Sequence, residues 1–430
     1  MILRLSSSAA RGAIVLFAII AFLFLSYSSL RNARAASQAS KNTKEGFQRA
    51  ARLEPGNPEY WYLLGRFWQY NLDEPDPEKA IQSYRTSLSF DPNDGGTWAE
   101  LATAYELEGD VSSAQESFLR AKQAYPLSAE VAWRYGNFLL RQGRTDEAFK
   151  EIHHAVEADP RRGAEAFSRC LRVEPNIDAI LSKVLPPSSA IYVDILRDLT
   201  ADNQIDNALK VWDHLAALNP HLAMQDSYSL VNTLLQRKDT GHALRIWDQT
   251  ASFSGLSQLR SPNSAIWDSG FEYGVSGPVF AWFYNSNSNG VQITPDSNEK
   301  HSGNRSLRIM FDGKNNINFS DVCTNAVVQP ATNYHFSAWI RTAGLTTEQG
   351  VRFRLAQIGS ENSLATQTPE IHDTQPWTRV EIPWTSDNNG DLVRICLTRY
   401  PSEQANGDIQ GTAWVDDATL VPDSTGTPQP

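Results

Sequence analysis

The side chains that could do chemistry in this 430-residue sequence are few and scattered. His153 and His154 are adjacent, and helix neighbours point about 100° apart, so they make a poor chelating pair. Asp416 and Asp417 are adjacent in an alternating stretch, where successive side chains face opposite sides, so they make a poor glycosidase dyad. No G-x-S-x-G, H-E-x-x-H, Walker A or G-x-G-x-x-G motif occurs, which removes the common nucleophile, zinc and nucleotide signatures. No catalytic constellation is left. What remains is binding chemistry. Sugars present apolar ring faces that stack on aromatics, and hydroxyls that need amide or carboxylate partners. Trp282, Phe283 and Tyr284 beside an Asn-rich stretch, with Trp377, Trp384 and Tyr400, supply both kinds. Trp282, Tyr284 and Trp384 are the candidate glycan contacts, whereas Trp339 and Trp414 lie inside alternating strands and read as core. Cys323 and Cys396 lie in strands of the same region and read either as a disulfide or as two unpaired core cysteines. Cys170, in a helical stretch, reads as a small buried hydrophobe.

These residues must be held by at least two folding units, because a domain takes roughly 150 residues. The composition is ordinary for a globular chain, with 41% hydrophobic and 20% charged residues. A formal charge of -11 and the lack of a Lys/Arg stripe argue against a nucleic-acid partner. At the N-terminus an apolar run, Gly12 to Leu25, follows Arg4 and Arg11 and extends through Tyr27 to Leu30, the roughly 20 residues that span a membrane. Ala33, Arg34 and Ala35 have the small-x-small form of a cleavage site. Arg31 and Arg34 place charge where a cleavage region is normally neutral, so residues 1–35 read as an uncleaved anchor in preference to a cleaved signal peptide. Either reading exports residues 36–430.

Residues 40–255 carry a repeat. Pro92, Pro126 and Pro160 are spaced by 34 residues, as are Gly109 and Gly143, and Ala114 and Ala148. One unit runs Trp98, Leu101, Ala102, Tyr105, Gly109, Ala114, Phe118, Ala121, Pro126. Trp98, Leu101 and Tyr105 share one face of a first helix, and Ala114, Phe118 and Ala121 one face of a second. Small residues allow close approach, and each Pro stops the second helix. At these positions the unit resembles the tetratricopeptide repeat. The resemblance implies one α-solenoid with a groove lined by first helices and an extended protein segment as partner. By register the groove holds Tyr62, Arg66 and Gln69, then Thr103 and Glu106, then Trp133 and Asn137. Trp133 sits one place after the core tryptophan position, so it points into the groove or is a core residue out of register.

Past a linker at 256–264 the pattern alternates with short Ser-, Asn- and Gly-rich turns, the mark of an antiparallel β-sandwich. The phrases Ser269–Glu272, His301–Leu307, Phe336–Trp339, Gln375–Trp377 and Ala413–Asp417 resemble, in order, the galactose-binding-like jelly roll of carbohydrate-binding modules over 265–422. That resemblance implies a structural calcium ion held by Glu272 and by Asp416 or Asp417. Residues 423–430 read as a disordered tail. The whole arrangement resembles bacterial envelope proteins linked to exopolysaccharide assembly. The expected function is a non-enzymatic, membrane-anchored scaffold, mostly outside the cytoplasm, with a protein partner and a polysaccharide ligand. A carbohydrate-active enzyme with an unrecognised site and a purely structural assembly factor are the alternatives.

Overall fold

A computed structural model describes residues 8–273, 279–288, 290–358, 365–388 and 390–423. Helices fill the N-terminal half and antiparallel strands the C-terminal half, the expected fold class. The chain packs as two compact units, Met1–Ile191 and Tyr192–Pro430. That division falls well before the change in composition near residue 255. The last helices therefore share a unit with the sandwich. Of the expected tail, residues 424–430 lie outside the described residues.

The first unit opens with α1 (Ser8–Ala39), a helix long and apolar enough to cross a membrane. Its final turns bury Ala35 and Ala39 in one cluster with Phe47, Ala50 and Ala51 of α2 (Lys44–Leu53). Three hairpins follow: α3 (Pro58–Tyr70) with α4 (Pro77–Phe90), α5 (Gly95–Leu107) with α6 (Val111–Ala124), and α7 (Ala129–Arg141) with α8 (Thr145–Ala158). Asn57, Asp94 and Ser128 cap the first helices, and Asp76 and Asp110 cap two of the second, each side chain accepting from a backbone N–H of the first turn. Gly109 and Gly143 turn the hairpins with φ of 79° and 72°, where a side chain would be strained. Gly136 lets α8 approach so closely that an added Cβ would lie 2.6 Å from Ile152. Trp61 and Trp98 tie neighbouring hairpins together, Nε1 donating to the carbonyls of Pro55 and Pro92 at 2.8 and 2.9 Å. Two short helices, α9 (Gly163–Leu171) and α10 (Ile177–Lys183), end the unit, and Cys170 is fully buried there, its thiol pushed up to about 12 by burial.

The boundary falls within α11 (Ser189–Ala201), and the second unit continues with α12 (Ile205–Ala217), α13 (Gln225–Gln236) and α14 (Thr240–Phe253). Among the described residues ten strands follow: β1 (Asn287–Ser288), β2 (Val291–Asp296), β3 (Ser306–Asp312), β4 (Phe319–Val327), β5 (Asn333–Leu345), β6 (Arg352–Gln357), β7 (Thr366–Gln367), β8 (Asp373–Thr385), β9 (Leu392–Arg399) and β10 (Gln410–Pro422). They form a six-stranded sheet, β1-β2-β3-β10-β5-β8, and a four-stranded sheet, β4-β9-β6-β7. Between the sheets lie Phe336, Ala338, Ile340, Phe353, Leu355, Ile395 and Val415, all fully buried. Cys323 and Cys396, opposed in register on β4 and β9, are joined by a disulfide.

Helix and sandwich meet at a cluster of aromatic rings. Trp247 of α14 stacks on Tyr228 at 5.8 Å and meets Trp267 and Phe280 edge-on at 5.1 and 5.7 Å. Trp247 and Trp267 are at most 1% exposed. Removing the indole leaves a cavity flanked by both architectures, so Trp247→Ala should cost about 3–5 kcal/mol. Denaturant unfolding followed by helix and by tryptophan signals measures this. A loss under about 1 kcal/mol would show that the cluster does not couple the helices to the sheets.

Candidate binding sites

The first helices of unit one build a groove from residues a turn or a repeat apart. On α3, Arg66 lies between Tyr62 and Tyr70, its guanidinium 5.9 and 5.7 Å from their rings. The Tyr70 hydroxyl donates to Glu100 at 2.7 Å, and Arg134 of α7 pairs with Glu100 at 3.0 Å. Burial, then the Glu100 carboxylate, pushes the Tyr70 hydroxyl up to about 12, so it remains a donor at neutral pH. Arg141 holds Glu106 through two bonds of 2.6 and 2.7 Å. Trp133 is flanked by the guanidinium groups of Arg162 and Arg169, 5.3 and 5.2 Å from its ring. Arg169 also donates to Asn137 Oδ1 at 3.0 Å, while Asn137 Nδ2 donates to the Trp133 carbonyl. An open pocket of about 200 Å³ is lined by Thr103, Trp133 and Asn137 together with Tyr70, Arg134, Arg141 and Arg169. Trp133 thus sits at the pocket wall although it is only 8% exposed.

One expected groove residue turns away. Gln69 is buried and accepts from the Tyr84 hydroxyl of α4 at 2.7 Å, because it lies one turn beyond Gly65 on the stripe that faces the paired helix. Sequence reasoning missed Tyr70, Arg134, Arg141 and Arg169. A signal existed: Arg134 and Arg141 stand 34 and 35 residues after the Glu100 and Glu106 they pair with, about one repeat length.

In the sandwich the tryptophans fall the other way from expectation. Trp282 is 2% exposed, stacked on Phe271 at 4.4 Å, with Nε1 donating to the Asp268 carbonyl at 2.7 Å. Trp384 is 4% exposed, opposite Tyr334 in register and 5.9 Å from its ring. Neither can stack on a ligand, and Tyr284 is half-buried against the same core. Trp339 and Trp414, expected inside, are half-buried on the outer face of the six-stranded sheet, since their neighbours Ala338, Ile340, Ala413 and Val415 take the inward positions. They are already covered. The His301 ring stacks on Trp339 at 3.9 Å with Trp377 edge-on to it at 5.7 Å, while Arg341 lies 5.5 Å over Trp414.

The expected calcium ligands hold that cover in place. Asp416 accepts from the backbone N–H of His301 and Ser302 at 2.8 and 3.1 Å, and Glu272 from that of Asn304 at 2.5 Å. Asp417 bonds His301 Nδ1 at 2.6 Å and the Ser302 hydroxyl at 2.7 Å. Donors converge on these carboxylates, and no group of three His, Cys, Asp or Glu suited to a metal occurs among the described residues. Together these bonds clamp the 301–304 turn. Asp268, 2% exposed, accepts from the backbone N–H of Glu272 and Tyr273, both at 2.9 Å. Burial pushes Asp268 up to about 6, and burial with the neighbouring Asp417 does the same to Asp416. Both carboxyls hold a proton more tightly folded than unfolded, so their contribution to stability falls as pH rises through about 4 to 6. The thermal midpoint should therefore drop between about pH 4 and pH 6, and Asp268→Asn should flatten the drop. An equal drop in the variant would remove Asp268 as its source.

No protein-family model matches the chain. Tetratricopeptide repeat protein 37 of Xenopus laevis is 28% identical over 117 residues, covering 27% of this chain and 7% of that protein. Type IV pilus assembly protein PilF of Pseudomonas aeruginosa is 29% identical over 86 residues, covering 20% of this chain and 34% of that protein. The chain thus spans about a third or less of the curated relatives it matches. Among solved structures, TmCBM61 in complex with beta-1,4-galactotriose is 20% identical with a TM-score of 0.27, covering 38% of this chain and 100% of that one. By its own repeat period and strand pattern, the chain folds as tetratricopeptide-like helical hairpins followed by an antiparallel, carbohydrate-binding-module-like sandwich.

Proposed function

We propose that the protein is a non-catalytic scaffold, anchored in a membrane, that holds an extended protein segment in its solenoid groove and a polysaccharide on its sandwich. The observation that carries this reading is the open pocket where Trp133, Asn137 and Thr103 come together with three arginines and Tyr70. It offers an aromatic wall, amide and hydroxyl groups and rigidly paired charges, the mixture that receives a peptide backbone with alternating side chains. A relative named for pilus assembly supports a place in building an envelope structure outside the cytoplasm. Cross-linked membranes from cells carrying the full chain should test the groove. Arg66→Ala with Asn137→Ala should lower recovery of the co-purified partner at least five-fold, and Glu116→Ala, on the second helix α6, should not. Equal recovery from all three would place the partner elsewhere.

Anchoring is supported by the continuity of α1. Ala35, the residue that would precede a cleavage point, is fully buried with Phe47 and Ala50, so cleavage there would sever the helix that α2 packs on. The protein should remain with membranes after high-salt washing. A mature N-terminus at Ala36 would overturn the anchor.

A further inference from the structure

The last strand on each side of an open sheet leaves a row of backbone groups unpaired, and proteins usually blunt such edges. Among the described residues, three of the four edges of this sandwich are blunted. β1 and β7 are only two residues long each. The outer edge of β4 is taken by the segment before β1: Phe283 exchanges backbone bonds with Cys323 at 2.8 and 3.1 Å, and Asn325 Nδ2 donates to the Val279 carbonyl at 2.9 Å. The fourth edge is β8, thirteen residues long and paired on one side only, by β5. Among the described residues no strand runs along its far side.

Backbone phase decides which groups that edge offers. The Ser386 N–H donates to the Thr332 carbonyl at 3.1 Å, so even-numbered positions turn toward β5. Asn333, opposite Thr385, gives its carbonyl instead to the Asp423 N–H at 2.9 Å, on the β10 side. Pro383, which has no N–H, opposes His335 in the same phase. The N–H and C=O groups of Arg379, Glu381 and Thr385 therefore point away from β5, and all three residues are exposed. Arg379 and Glu381 stand opposite Trp339 and Ser337, so their side chains lie on the outer face, while Val380 between them is buried. Within the chain they pair at 3.2 Å, and each side chain stays about half exposed.

We propose that β8 pairs edge to edge with β8 of a second copy of this chain, antiparallel about a two-fold axis at Val380, so that two six-stranded sheets become one. About that axis Arg379 lies opposite Glu381 of the second copy, and Glu381 opposite Arg379 of the second copy. Both pairs are in the hydrogen-bonding phase and exchange both N–H···O bonds. Their side chains share a face, so opposite charges meet on each side of the axis, the self-complementarity an isologous contact requires. Charge also fixes the register. Moving the axis one residue either way puts Arg379 opposite itself or Glu381 opposite itself, and like charges directly opposed are destabilising. A foreign segment of one charge sign would meet a like charge for every opposite one, whereas a second copy meets none. Pro383 lies beyond the two charged pairs and removes no bond from them.

Sedimentation equilibrium of the detergent-solubilised full chain, with the detergent density-matched, tests this. At about 50 µM protein the mass should be that of two copies, because a dimer of micromolar dissociation constant is populated there. Arg379→Glu sets carboxylates against each other on both sides of the axis and should weaken the dimer at least ten-fold, with the circular-dichroism spectrum unchanged. Arg379→Glu combined with Glu381→Arg brings opposite charges back together and should restore it. A single-copy mass for the unaltered chain would overturn the pairing. A two-copy mass that Arg379→Glu leaves intact would place the association elsewhere, α1 included, and overturn it as well. Loss of the dimer in both the single and the exchanged variant would overturn the register at Val380.

Discussion

A repeat hairpin buries its apolar face only against a neighbour, so the last hairpin of an array needs something to close it. Trp247 is where that need is met. Its indole is enclosed by Tyr228 from the helical side and by Trp267 and Phe280 from the segment leading into the sheets. The sandwich takes the place of the next repeat. Thr240, at the start of α14, adds a hydrogen bond to Asp391 at 2.7 Å. The unit that begins at Tyr192 is consequently a mixed helix-and-sheet body.

Within the sandwich, polar groups are placed as deliberately as apolar ones. Arg399 is fully buried, and its guanidinium donates to the carbonyls of Gln349, Ile317 and Gly407, to Asn316 Oδ1 and to the Thr347 hydroxyl. Every N–H finds an acceptor, which is the condition for burying such a group at tolerable cost. Burial lowers its pKa from the usual arginine value. This one side chain gathers three loops at one end of the domain. Asp268, Asp416 and Glu272 do the same for the opening segment and the 301–304 turn.

The groove and the two sheets differ in chemistry for structural reasons. In the solenoid groove Arg134 pairs with Glu100 and Glu130, Arg141 with Glu106 and Arg169 with Glu165. On the four-stranded sheet, Arg352 is buried and pairs with Glu370 at 3.5 Å, and the direct cross-strand neighbours of Arg352, Arg354 and Arg394 are Cys, Asn, Thr, Gln and Ala. The six-stranded sheet presents tryptophans, but its own loop covers them through His301.

How much of this was legible depends on whether the cause is local. The 34-residue spacing of Pro92, Pro126 and Pro160, with Gly109 and Gly143 in the turns, determined the hairpins, because helix termination and left-handed turns are properties of single residues. Period-two alternation determined the strands. It also held the sidedness of Trp339, which stands between the inward-facing Ala338 and Ile340. The tertiary structure decided the rest. Trp282 and Trp384 carry no local mark that separates a core ring from a stacking platform, and their burial follows from Phe271 and Tyr334 closing over them. His301 reaches Trp339 across 38 positions, and Arg354 comes beside Arg394 only because β6 pairs with β9 in one register out of several. Such juxtapositions are set by long-range pairing, which a sequence encodes only through the whole fold.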